Sequence, residues 1–240
     1  MKQISLLTLV FAILSNVFLI LLILFRSSFP LYPAMSYQDA VDLLTPVVLI
    51  PLYWCFFKSA SAAESKPAEE VAFMVLAAVW VLGQGMHLAA NSVNNLIEVC
   101  ITEQVIDITK TDIHTLTQFY DERLSHYVWH LGVMGLAALL IYREWRRPAG
   151  RTVVWWATVL AGFIYGLTFT IIVLEGQTVP LGLPFAVAVT LLTLIWGRQK
   201  LGHQPVLAFF FVTFLLAGLL FAGWGLYWRG FPEPTVVMGI

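Results

Sequence analysis

Three stretches of this chain, Ile4–Phe25, Thr152–Leu174 and Pro205–Trp228, contain no charged residue at all. A run of about 20 apolar residues is long enough to cross the hydrocarbon core of a bilayer as an α-helix. In lipid the backbone must satisfy its own hydrogen bonds, so such a run has only helical or closed-barrel solutions. Four further runs are nearly as apolar. The expected fold is therefore an all-α polytopic membrane protein, one transmembrane helical-bundle domain over residues 1–240, with seven spans near 4–25, 41–57, 71–99, 119–142, 152–174, 180–196 and 205–228. Composition agrees: charged residues make up 11% of the chain, against roughly a quarter in soluble domains.

The connections follow from the breaks between runs. Lys2 precedes the first run, which is longer than the apolar core of about 7–15 residues in a signal peptide, so an uncleaved first span is expected. Pro46 and Pro51 fall within the second run. Lys66-Pro67-Ala68-Glu69-Glu70 has the form of a helix start, with proline at the first position and acids in the first turn. Seven spans put Lys2, Lys58, Lys66, Arg143, Arg146, Arg147, Arg151, Arg198 and Lys200 on one side, nine in all. They leave four, Arg26, Lys110, Arg123 and Arg229, on the other. Lysine and arginine favour the cytoplasmic side, so the N-terminus is expected there, in a multi-pass protein of the cell membrane.

Two polar stripes break the apolar pattern. His87, Asn91, Asn94 and Glu98 are spaced four, three and four, and Glu122, His126 and His130 four and four. A step of four residues turns an α-helix only about 40° beyond a full circle, so each set lies on one helical face. Polar side chains at membrane depth are expensive and face a bundle interior or a wet cavity. With the third helix running outward and the fourth back inward, both stripes fall in the outer half, as does Glu175 at the end of the fifth span. One shared site is expected.

The residue types suggest metal chemistry. His126 and His130 form a His-x-x-x-His pair, and His87 supplies a third nitrogen. Together they make a candidate zinc site with an open position, where zinc lowers the pKa of water to about 7. Haem b or another transition metal are the alternatives. Glu122 is the candidate general base. Asp121 is a second candidate catalytic carboxylate, although in a regular α-helix it points to a different side. Asn91, Asn94, Glu98 and Glu175 are the candidate substrate-binding groups. Blander readings stand beside these. The asparagines can serve as interhelical glue, Gly83 and Gly85 as close-packing positions, and His114 and His203 as surface residues. Cys55 and Cys100 fall near opposite faces, so no disulfide is expected.

Three histidines and acids in a seven-helix bundle resemble the alkaline ceramidase and adiponectin-receptor type of intramembrane zinc hydrolases, with His87 and the pair His126/His130 in the corresponding roles. The resemblance covers ligand set and span count. In that family the pair lies in the last helix and here in the fourth, and the family's serine has no match, since Ser92 lies on another face than His87. It implies a metal-dependent hydrolase acting on a lipid or lipid-like substrate from the outer leaflet, with membrane lipids as partners. The competing classes are a haem-binding electron-transfer protein, a proton-coupled transporter and a ligand sensor using the same cavity. A net charge of -1 excludes nucleic acid as a bulk electrostatic partner, and no P-loop, GxGxxG or zinc-ribbon cysteine pattern is present.

Overall fold

The computed structural model describes residues 3–20, 28–29, 32–102 and 111–239. Apart from a short antiparallel ribbon, β1 (Ser28–Phe29) with β2 (Tyr32–Ser36), the described chain is helical. The helices are α1 (Gln3–Leu19), α2 (Tyr37–Asp42), α3 (Thr45–Ser59), α4 (Pro67–Thr102), α5 (Asp112–Gln118), α6 (His126–Arg146), α7 (Trp155–Glu175), α8 (Val179–Leu192), α9 (Pro205–Trp228) and α10 (Pro234–Met238).

Six helical stretches among the described residues are long and apolar enough to cross a membrane: Tyr37–Ser59, Pro67–Asn94, Asp112–Arg146, Trp155–Glu175, Val179–Lys200 and Pro205–Trp228. The first expected span is present as α1, apolar but 17 residues long, and positions 21–25 lie outside the described residues. Three details differ from the sequence reading. The second span begins earlier, because Ser36 caps α2 through a reciprocal hydrogen-bonded box with Asp39. Pro46 sits at the start of α3, where its missing N–H has no helical acceptor, so of these two prolines Pro51 alone lies in the helix interior. The fourth span begins at Asp112, because α5, a π-helical segment Phe119–Ser125 and α6 run on without a break.

Aromatic rings fill the bundle centre. Phe11 of α1 lies 4.8 Å from Tyr53 of α3, 5.2 Å from Phe56 and 5.0 Å from Tyr165 of α7, centre to centre. The two tyrosine hydroxyls satisfy each other at 2.9 Å, which removes the cost of burying either alone. At the end of the bundle where α4 begins, Glu69 pairs with Arg143 of α6 and with Arg147 just after it. Glu144 accepts from the Leu207 N–H at 2.7 Å and so tethers the start of α9.

The antiparallel crossing of α4 and α6 positions everything at the other end. A Cβ on Gly83 would lie 2.3 Å from the Trp129 backbone nitrogen, and one on Gly132 would lie 2.6 Å from that of Trp80. The two helices therefore touch backbone to backbone at two places. Gly85, paired with Gly83 in the sequence reading, faces open space with nothing within 4 Å of its Cβ position. Gly83→Ala should destabilise the protein by about 1–3 kcal/mol, because the helices must part. Gly85→Ala should be neutral or stabilising by up to about 1 kcal/mol, through helix propensity. Thermal unfolding in detergent separates the two, and equal melting temperatures would refute the close crossing.

Candidate functional site

Immediately beyond Gly83 the polar face of α4 begins, with Gln84 and then His87. Gln84 accepts from the Trp80 indole at 2.8 Å and donates to the Asp42 carbonyl at 2.8 Å, locking the end of α2 to α4. His87 Nδ1 stands 2.8 Å from Asp121 Oδ1. Asn91 donates to Asp39 Oδ1 at 2.7 Å, and Asn94 donates to Asp121 Oδ2 at 2.6 Å. Asp121 is thus the hub between the two polar helices, and it is 2% exposed.

Asp121 is expected on a different side from His126 yet within reach of the neighbouring helix, and it does face α4, where it meets His87 and Asn94. It lies in the π-helical segment Phe119–Ser125, whose i→i+5 hydrogen bonds widen the turn just before His126. No composition signal marks such a segment. Asp39 was also missed, although Ser36-x-x-Asp39 is a readable capping pattern. Asp42, Thr178, Glu233 and Thr235 complete the set that the sequence reading passed over.

The three expected histidines come together. The ring centre of His126 lies 4.7 Å from that of His87 and 6.2 Å from that of His130. Gly176, in the turn after α7, packs against the rings: a Cβ there would lie 3.0 Å from His130 Cε1 and 3.1 Å from His126 Cγ. Each Nδ1 faces an acceptor. His87 has the Asp121 carboxylate. His126 has the Glu122 carbonyl at 3.2 Å. His130 has the Thr178 hydroxyl, whose own hydrogen can go to the Val173 carbonyl at 3.4 Å. Carbonyl and carboxylate oxygens only accept, so the hydrogens belong on Nδ1 and the lone pairs on Nε2. His130 Nε2 is wholly buried and has no hydrogen-bond partner among the described residues, and the 2.8 Å approach of His87 Nδ1 to Asp121 is an ion-pair contact that lacks hydrogen-bond geometry.

A cavity of about 210 Å³ opens beside His87 and His126. Asp42, Glu122, Glu175 and Glu233 line it with carboxylates, and Phe18, Leu19, Ile171 and Ile172 line it with hydrocarbon. Glu175 also holds the C-terminal helix in place, accepting from the Thr235 N–H at 2.7 Å and its hydroxyl at 2.8 Å. Asn91 and Asn94 do not line this cavity; their amides are spent on buried carboxylates. The Glu98 side chain lies outside the described residues. Cys55 is an exposed free thiol.

The donor chemistry suits a metal, but no three His, Cys, Asp or Glu side chains among the described residues are arranged to hold one ion as they stand. Two imidazoles sharing a tetrahedral ion at about 2.0–2.1 Å hold their centres about 5 Å apart. The 4.7 Å between His87 and His126 matches that spacing, and the 6.2 Å to His130 exceeds it by about 1 Å. Compared with known proteins, the chain matches no family model, no curated protein and no solved structure.

The tautomers are directly testable. Histidine ¹⁵N chemical shifts should show Nδ1–H for His87, His126 and His130. Thr178→Val should disturb His130 alone, since only that ring bonds Thr178. An Nε2–H form at any of the three would refute the assignment there.

Proposed function

We propose that this chain is a seven-span integral membrane protein with a cytoplasmic N-terminus that acts as a metal-dependent hydrolase on a lipid-like substrate reached from the outer leaflet. The observation that supports it best is the shared orientation of the three imidazoles. Each turns Nδ1 toward an acceptor, which is how ligand histidines are held by their outer partners in metal sites. His87, His126 and His130 are the assigned ligands, with zinc the first choice of metal. Closing the set requires His130 to approach by about 1 Å, on the spacing given above. Such an ion supplies Lewis acidity and an acidified water at the open position.

The chain's own residues divide the remaining work. Asp121 fixes the His87 ring, and Asn94 fixes Asp121. Glu122, on the cavity wall one turn before His126, takes the proton as general base. Glu175 and Asp42 face the same space and meet the polar part of the substrate. Phe18, Leu19, Ile171 and Ile172 meet its apolar part. The haem alternative has less behind it. Imidazoles on opposite faces of one iron, each about 2 Å from it, hold their centres roughly 6 Å apart; His87 and His126 are closer, at 4.7 Å, and His126 and His130, at 6.2 Å, stand one turn apart on one helix and cannot flank a haem from both faces.

A second reading has its own observation. Asp121, His87 and His126 form a continuous row of titratable groups, with His130 beyond, as a proton relay in a coupled transporter would require. Metal content separates the two. Protein purified at neutral pH should carry about one zinc per chain, and His126→Ala or His130→Ala should each lose it, because either change opens a three-ligand site. Glu122→Gln should keep the metal and slow turnover by about 10²–10⁴-fold. Metal-free wild-type protein that moves protons in liposomes would reverse the assignment. The orientation has a separate test. Reporters fused in the 143–151 loop and after the C-terminus should fall on opposite sides, cytoplasmic for the loop, and finding both on one side would end the seven-span topology.

A further inference from the structure

A second concavity lies on the outside of the bundle, between α3 and α4. Leu43, Pro46, Val47, Ile50 and Pro51 form one wall, and Val81, Gly85 and Leu88 the other. It has a volume of about 420 Å³, within the usual range of about 300–1,000 Å³ for ligand sites. Both walls belong to helical stretches long and apolar enough to cross a membrane, so the groove faces acyl chains. Its polar end is Gln84 and Asp42. Asp42 also lines the histidine cavity. One residue therefore stands at the junction between an apolar groove open to lipid and the polar site inside.

We infer that this groove takes the tail of a single-chain amphiphile whose cationic head passes Asp42 into the histidine cavity. The inference rests on the lipid-directed reading above and adds the route and the head charge. The groove is lined by hydrocarbon except at its Asp42 end, which suits one alkyl chain lying along the helices. The cavity beyond presents Asp42, Glu122, Glu175 and Glu233, and four carboxylates at close range repel an anionic head and attract an ammonium. Gly85 is the opening through which the idea is tested. Nothing lies within 4 Å of its Cβ position, so a large side chain there fills the groove without entering the core. Gly223 on α9 has the same open surroundings and serves as a control.

The full chain in nanodiscs is photolabelled with a hexadecylamine carrying a diazirine in its tail. Label should concentrate on the segments 43–51 and 81–88, and excess unlabelled hexadecylamine should compete it away. Gly85→Phe should reduce it by at least about tenfold, the factor expected for losing most of the tail contact. Gly223→Phe should leave it unchanged. Asp42→Asn should weaken labelling by the amine, and a palmitic acid probe of the same design should label less than the amine because its head is anionic. Label spread evenly over the lipid-facing surface, or undiminished by Gly85→Phe, would overturn the groove. Equal labelling by acid and amine would overturn the head assignment. Zinc content is read on the same samples. Loss of the groove with zinc retained refutes this inference alone, whereas zinc-free wild-type protein with competed groove labelling refutes the metal reading alone.

Discussion

The contact on which the site depends is the backbone-to-backbone crossing of α4 and α6 at Gly83 and Gly132. A helix interior loses about 1 kcal/mol for each glycine used in place of alanine. The return is distance. With no side chain at either position, the Gly83 Cα can lie against the backbone of Ser125 and Trp129, and Gly132 against that of Leu76 and Trp80. The helices are antiparallel, so one turn further along α4 meets one turn further back on the other strand of the pair. His87 then arrives beside His126 and Asp121, and Asn94 reaches Asp121 as well. Were the crossing wider by a methyl group, none of these short contacts would close.

The π-helical segment is the second constraint. A regular helix from Asp112 to Arg146 would place either Asp121 or Glu122 on the face of His126, and a stripe spaced four and four selects Glu122. Within the wider turn over Phe119–Ser125, Asp121 faces α4 and the Glu122 side chain lies on the cavity wall. Both carboxylates serve the site, one buried as a hub and one exposed to the open space. π-helical turns lose favourable hydrogen-bond geometry and occur often at functional sites, and this one carries both acids.

The sequence made the apolar runs and the two stripes plain, because hydrophobic length and helical spacing are local properties. Pro205–Trp228 matches its expected span to the residue, and His87, Asn91 and Asn94 share a face as their spacing requires. What stayed hidden is non-local or irregular. The change of helical pitch around Asp121 has no composition signal. The roles of Asn91 and Asn94 turn on which carboxylates lie opposite, and Asp39 comes from a segment that reads as loop. Thr178 fixes His130 from a turn 48 positions away in the chain, and no pattern around it signals contact with an imidazole.

Polar groups inside an apolar bundle obey a strict rule: a buried donor or acceptor without a partner costs about 1–3 kcal/mol, and water is scarce at membrane depth. The tyrosine pair Tyr53–Tyr165 and the chain Trp80–Gln84–Asp42 satisfy it. Exceptions occur in several parts of the bundle, Ser15, Thr190 and Thr213 among them, and the histidine site has its own: His130 Nε2, Trp129 Nε1 and Asn94 Oδ1 are all buried and unpartnered. At 1% exposure, His130 cannot turn its free nitrogen to bulk solvent, while Thr178 holds the opposite nitrogen in place. A ring that served packing alone could be replaced by a phenylalanine at lower cost. An imidazole anchored on one side and open on the other has the form of a group kept for something that binds or crosses there.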